Sequence, residues 1–261
     1  MHPAHQALEM VQFYEELGPK IFSRALWHRL GSAEGLLRSR YPDLPVETTL
    51  MQFFGGTRLK EALTPVFVPS YELERRTPFF FRSSMACVNE AYDYPMHTVA
   101  RSTSAAPTYF PPEEVKNADR SYILIDGGVF ANNPAACAYV EAKVQFPSAS
   151  DFTVVSLGTG APKESALMTS KADWGIAQWA RPILDTVLDG VSSTVDFQLS
   201  KLLPRAEDGT QRYFRIQPVL ASENQSMDNV SKENLAGLKT IVSRTIQEKS
   251  SEIDAICRRL S

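Results

Sequence analysis

With 261 residues, 43% of them apolar and 22% charged, the chain is long enough to bury a sizeable core, and nothing in it forces more than one domain. A net charge of −3 with scattered lysines and arginines offers no polyanion-binding face and argues against a nucleic-acid partner. Cys87, Cys137 and Cys257 are too far apart for a Cys-x-x-Cys site and too few for a disulfide framework, so they read as small buried apolar residues; no apolar run approaches the ~20 residues of a membrane span, and Met1-His2-Pro3-Ala4-His5 lacks a signal's apolar core, so the cytoplasm is the expected compartment.

Met10, Val11, Tyr14 and Leu17 recur at helical spacing among Glu9, Glu15 and Glu16, predicting an amphipathic helix over 5–17 that Gly18 and Pro19 end. Further helical stretches are expected from Ile21 to about Leu30 and from Leu36 to Arg40, with a loop at Pro42 and Pro45. Thr48 to Phe54 reads as a helix broken by Gly55-Gly56, and Leu59 with Leu63 begins a short one stopped by Pro65. Val66–Val68 and Phe79–Phe81 are β-type runs joined by the polar segment Tyr71–Thr77, and Met96–Ala106 is helical up to Pro107. A strand at Tyr122–Ile125, a helix over 134–145, a strand over 153–157, a helical region from Trp174 to Leu203, a strand at Tyr213–Ile216 and helix from Lys232 to Arg259 follow. The most polar stretches, 204–211 and 221–231, read as surface loops, and there is no internal repeat. Strands alternating with helices predict an α/β fold in three layers, a mainly parallel sheet with helices on both faces.

The strand Tyr122–Ile125 ends in Asp126-Gly127-Gly128, and Asn133-Pro134 supplies a cap and first residue for the next helix. Asp126 therefore stands at the carboxyl end of a strand, where ligand crevices form in open α/β sheets, and is a candidate base. Alone, Asp-Gly-Gly is equally a turn that ends a strand. Its context is more specific: Phe53-Phe54-Gly55-Gly56-Thr57-Arg58-Leu59-Lys60-Glu61-Ala62-Leu63-Thr64-Pro65, then Ala100-Arg101-Ser102-Thr103-Ser104-Ala105-Ala106-Pro107-Thr108-Tyr109-Phe110-Pro111-Pro112, then Val154-Val155-Ser156-Leu157-Gly158-Thr159-Gly160. In this order the motifs resemble the patatin-like phospholipase family, from about residue 8 to about Gln198. The resemblance implies one patatin-like domain over 1–261, the C-terminal portion of the family's catalytic domain. It also implies a serine–aspartate dyad in which Asp126 is the proton acceptor, within the motif Asp126, Gly127 and Gly128. The implied activity is lipid acyl hydrolysis on a lipid or phospholipid ester, compatible with transient contact at a membrane surface, with no cofactor or metal.

The family's Gly-x-Ser-x-Gly elbow and the glycine-rich oxyanion loop before it are absent from the sequence. The nearest imitations are Gly31-Ser32-Ala33-Glu34-Gly35, with the wrong spacing, and Gly190-Val191-Ser192-Ser193-Thr194, which lacks the second glycine and follows a helical stretch, whereas an elbow needs a strand before it and a helix after it. The expectation is an N-terminally truncated chain without the first strands. His2, His5, His28 and His97 stand in no triad or zinc pattern, consistent with an aspartate that takes the hydroxyl proton itself. Gly127 and Gly128 would let the chain turn at once after the base and keep bulk away from the acyl chain. Phe79–Phe81 reads as core or as an acyl-pocket lining. Glu113-Glu114 reads as a solvated loop, and Gly158-Thr159-Gly160 lacks the spacing of a phosphate-binding fingerprint. Three functions stay open: an acyl hydrolase, a catalytically inactive patatin-like binding or regulatory module, and a nucleotide-binding α/β enzyme.

Overall fold

A computed structural model describes residues 7–22, 39–118, 120–162, 175, 179 and 182–260, which fall into two compact units, Met1–Phe130 and Ala131–Ser261. Residues 23–30 of the helical stretch expected from Ile21, residues 36–38 of the next one, the Gly31–Gly35 imitation, His2, His5, His28 and the start of the helix expected at Trp174 lie outside the described residues.

In the first unit, α1 (Ala7–Ile21) runs through Gly18 and Pro19, past its predicted end; only one turn follows Pro19, and it closes because Phe22 N–H reaches Gly18 O at 2.9 Å. The helix α2 (Leu44–Phe54) starts earlier than Thr48. Pro45 sits in its first turn, where a missing N–H costs nothing, and Asp43 accepts the Leu44 N–H at 2.8 Å. It ends where expected, at Gly55, whose φ of 55° is a left-handed conformation that suits glycine. Ile21 and Phe22 pack with Tyr41, Val46 and Phe110 in a small satellite core.

The strands β1 (Phe67–Glu72) and β2 (Thr77–Arg82) form a hairpin, followed by the helices α3 (Ser83–Val88) and α4 (Met96–Thr103) and a second hairpin of β3 (Glu113–Lys116) and β4 (Ser121–Asp126). The sheet order is β2-β1-β4-β3, and every pairing is antiparallel. This corrects the parallel arrangement expected from the sequence. The links 73–76 and 117–120 are four residues long, and a parallel pair needs a crossover of a dozen or more. Glu113-Glu114, expected in a loop, belongs to the edge strand β3, where charge is tolerated because one side of the strand pairs with no strand among the described residues. Leu59, Phe81, Tyr94, Val99, Val115 and Leu124 form the core beneath this sheet.

The single turn α5 (Gly128–Ala131) leads into the second unit, which holds α6 (Ala135–Gln145), β5 (Val154–Leu157), β6 (Ala161–Pro162), α7 (Pro182–Leu202), β7 (Tyr213–Ile216), β8 (Val219–Leu220), α8 (Lys232–Glu248) and α9 (Ser250–Leu260). Here pairing is parallel, β5 with β7 and β6 with β8, so the parallel expectation holds locally. The stretch 232–259 forms two helices that meet at Lys249. Ala135, Leu199, Leu203 and Tyr213 make the core of this unit. Two of the cysteines expected to be buried are not: Cys87 and Cys257 are exposed, and Cys137 is half-buried. Among the described residues, no helix is long and apolar enough to cross a membrane.

Candidate active site

Asp126 is the last residue of β4 and lies opposite Ser70 of β1. Its N–H donates to Ala105 O at 3.1 Å, which ties the strand end to the segment just after α4. The side chain folds forward: Gly128 N–H donates to Oδ1 at 2.7 Å, and no described residue donates to Oδ2. Burial pushes the Asp126 carboxyl above the usual aspartate range, and the single Gly128 hydrogen bond offsets this only in part. A carboxylate held this way is a stronger base than an exposed aspartate, with one oxygen anchored and the other open.

The two glycines act differently from the expectation. Neither has a positive φ, a conformation found among described glycines at Gly55, Gly160 and Gly209. Gly127 is buried flush on β1, and a Cβ there would collide with the Pro69 carbonyl. Close approach, rather than a turn angle, requires that glycine. Gly128 opens α5 and contributes the N–H that meets the carboxylate.

Two other carboxylates in the first unit escaped the sequence reading. Glu72 is 1% exposed and accepts from the N–H groups of Arg75 (2.7 Å), Glu74 (3.3 Å) and Ile123 (3.5 Å). Burial works against its charge, but those donors and the Arg75 guanidinium outweigh it and hold its pKa below the usual range. Asp93, also buried, is gripped by Arg58 Nε at 2.7 Å, by Lys60 N–H at 3.0 Å and by Lys60 Nζ at 3.2 Å; these likewise outweigh burial and lower its pKa. Arg58 and Lys60 lie 35 and 33 residues from Asp93, and Ile123 lies 51 from Glu72, separations that leave no periodic signal.

The remaining candidates separate. Ser192 lies within α7, where its Oγ accepts from Arg215 Nη2 at 3.3 Å, so it stands on no strand-to-helix elbow. Asn133 is buried; its Oδ1 accepts from Ala135 N–H at 3.2 Å and from Ser156 Oγ at 3.0 Å, but the N-cap is Pro134, so Asn133 stands one residue ahead of the cap it was expected to form. Glu113 faces the buried Arg101, with Nε at 3.7 Å. Burial raises the Glu113 pKa, Arg101 lowers it, and Glu47 and Asp43 raise it further. His97 on α4 lies beside Thr98, with Nδ1 3.4 Å from Oγ1. Phe79 and Phe81 pack into the core, whereas Phe80 points to the other face, 37% exposed, with its ring 4.8 Å from Phe67 and 5.9 Å from Phe130. A cleft of about 530 Å³ lined by Arg205, Phe214, Arg258 and Arg259, and another of about 410 Å³ beside Asp93, do not include Asp126. Among the described residues, no cluster of acids, histidines and cysteines could hold a metal ion.

The family model for patatin-like phospholipases matches residues 5–139, more than half of the chain. The chain belongs to this family. The match takes in α2, the antiparallel sheet and the Asp126-Gly127-Gly128 strand end, and stops within α6. "Patatin-like protein 3" of Arabidopsis thaliana is 31% identical over 97% of this chain and 65% of its own length, and "Patatin-like protein 4" of the same plant is 30% identical over 92% and 65%. "Probable inactive patatin-3-Kuras 1" of Solanum tuberosum is 28% identical over 96% of this chain and 70% of its own length. The chain thus spans about 65% of the length of the first two relatives.

Proposed function

We propose that the chain is the base-bearing part of a lipid acyl hydrolase acting in the cytoplasm, with Asp126 as proton acceptor of a serine–aspartate dyad. One observation carries this: a carboxyl at the end of β4 whose pKa is raised by burial and whose Oδ2 has no donor among the described residues. In the reaction, a serine Oγ attacks the ester carbonyl while Asp126 Oδ2 takes the hydroxyl proton. Collapse of the tetrahedral species expels the alcohol, which leaves with a proton returned from Asp126, and water then cleaves the acyl-serine with the same carboxylate as base. The sequence contains no Gly-x-Ser-x-Gly, so this reading assigns the serine of that dyad to none of these 261 residues. Phe80 with Phe67 and Phe130 offers the acyl chain an aromatic surface. In this reading residues 1–261 are the C-terminal portion of one patatin-like catalytic domain.

A second reading rests on the same missing elbow together with a relative named inactive: a binding or regulatory module that keeps the fold without turnover. Hydrolysis of a p-nitrophenyl acyl ester and a fluorescent phospholipid, by the chain and by Asp126→Asn, separates the possibilities. Activity that vanishes in the variant supports the base role and places a serine within the chain, Ser192 being the first to substitute. Activity equal in both proteins removes Asp126 from the chemistry. Inactivity of both folded proteins leaves these residues as half a site, and the base role is then tested by the same substitution in a longer relative that turns over lipid.

A further inference from the structure

Three consecutive residues at the end of β4 are each fastened through one backbone atom. Ile125 O accepts a hydrogen bond from Ser70 Oγ at 2.6 Å, Asp126 N–H goes to Ala105 O at 3.1 Å, and Gly127 lies against Pro69 O with no room for a Cβ. The Pro69 carbonyl is itself fixed, because Thr103 Oγ1 donates to it at 2.7 Å from the last turn of α4. Ser70 is fully buried, and its hydroxyl also lies 3.4 Å from Ser102 O, so β1, β4 and α4 meet around two hydroxyl groups that a dyad would leave unused.

We propose that Ser70 and Thr103 are positioning residues for Asp126, holding the end of β4 so that Oδ1 is taken by Gly128 N–H while Oδ2 remains open to accept a proton. The proposal rests on the role of Asp126 as base. Neither hydroxyl touches the reacting atoms. Ser70 sets the carbonyl before the aspartate, and Thr103 sets the surface on which the glycine after it rests. If the strand end drifted outward, water would reach the carboxylate and the Gly128 N–H would lose its alignment. Burial is the first cause of the raised Asp126 pKa and the Gly128 hydrogen bond opposes it, so its titration reports how tightly the strand end is closed.

The test is a carboxyl-carbon NMR titration of Asp126 in the full chain, with amide hydrogen exchange at Asp126 and Gly128, for wild type, Ser70→Ala, Thr103→Val and Thr103→Ser. The expected result is a midpoint that falls towards the ordinary aspartate range in Thr103→Val and Ser70→Ala, with exchange at those two amides about tenfold faster, and wild-type behaviour in Thr103→Ser, which keeps the hydroxyl. Wild-type midpoints in both hydroxyl-deleted proteins would overturn the proposal. So would a uniform loss of protection over β1–β4 with the Asp126 midpoint unmoved, which marks a purely structural role. If Ser70→Ala does not fold, the Thr103 pair decides. The titration needs no turnover, so its failure is distinct from failure of the base role, which the hydrolysis comparison reads.

Discussion

Glu72 and Asp126 sit on the same two-strand ladder, Glu72 opposite Leu124 and Asp126 opposite Ser70, yet their surroundings drive them in opposite directions. Glu72 receives three backbone N–H groups and a guanidinium, and its charge is more comfortable than in water. Asp126 receives one N–H, and burial dominates. Two residues of strand thus separate a carboxylate that stabilises the hairpin from one whose proton affinity is raised. The direction of the burial effect does not distinguish them, since it raises both. The number of donors aimed at each carboxylate does.

Breaking each side of this comparison should give unlike results. The largest effect is expected for Asp126→Asn in a protein that turns over lipid esters. Loss of a general base removes about 10²–10⁴-fold of the rate, while the amide keeps the shape, so the thermal midpoint should not fall; a steady-state assay beside a melting curve checks both. Glu72→Ala should do the reverse. It leaves three inward N–H groups without their acceptor and should cost on the order of 3 kcal/mol of unfolding free energy, read by urea denaturation. Gly127→Ala stands between the two, because its methyl must displace the Pro69 carbonyl; a loss of about 1–3 kcal/mol is expected together with a shifted Asp126 titration, measured by the same denaturation and by carboxyl NMR.

The parts of this site that were legible are local. Tyr122–Ile125 is an unbroken apolar run ended by an acid and two glycines, and the structure has that strand with Asp126 as its last residue. The family motifs pointed to the same residues. The pairing was illegible for physical reasons. The β1–β2 link, Leu73-Glu74-Arg75-Arg76, contains no glycine, asparagine or proline, and the left-handed position falls to Arg76 with φ 55°. The edge strand Glu113–Lys116 carries one buried apolar residue, Val115, among charges, so no alternation announced it. Asp93 finds Arg58 across 35 residues, and Thr103 finds Pro69 across 34, contacts that no short window of sequence can hold.

The smallest effect expected is on stability against pH, and its sign follows from the same two carboxylates. Glu72 has a lowered pKa in the folded chain, so its contribution is present above the unfolded-state pKa and is lost as pH falls through the folded one, below the ordinary glutamate range. Asp126 has a raised pKa, so the folded state holds its proton more tightly than the unfolded state does. Between the two pKa values of that group, stability falls as pH rises, and above both of them the charged Asp126 is a net penalty on the fold. Asp126→Asn should therefore melt slightly higher than wild type at pH 7, and the gap should close as pH drops below the ordinary aspartate range, where both proteins carry a neutral group. In a catalytically competent protein the same raised pKa places the acid limb of the rate profile above the ordinary aspartate value. A variant that melted lower than wild type at pH 7, with the difference persisting in acid, would mean that the Gly128 hydrogen bond outweighs burial and that Asp126 is a second Glu72 rather than its opposite.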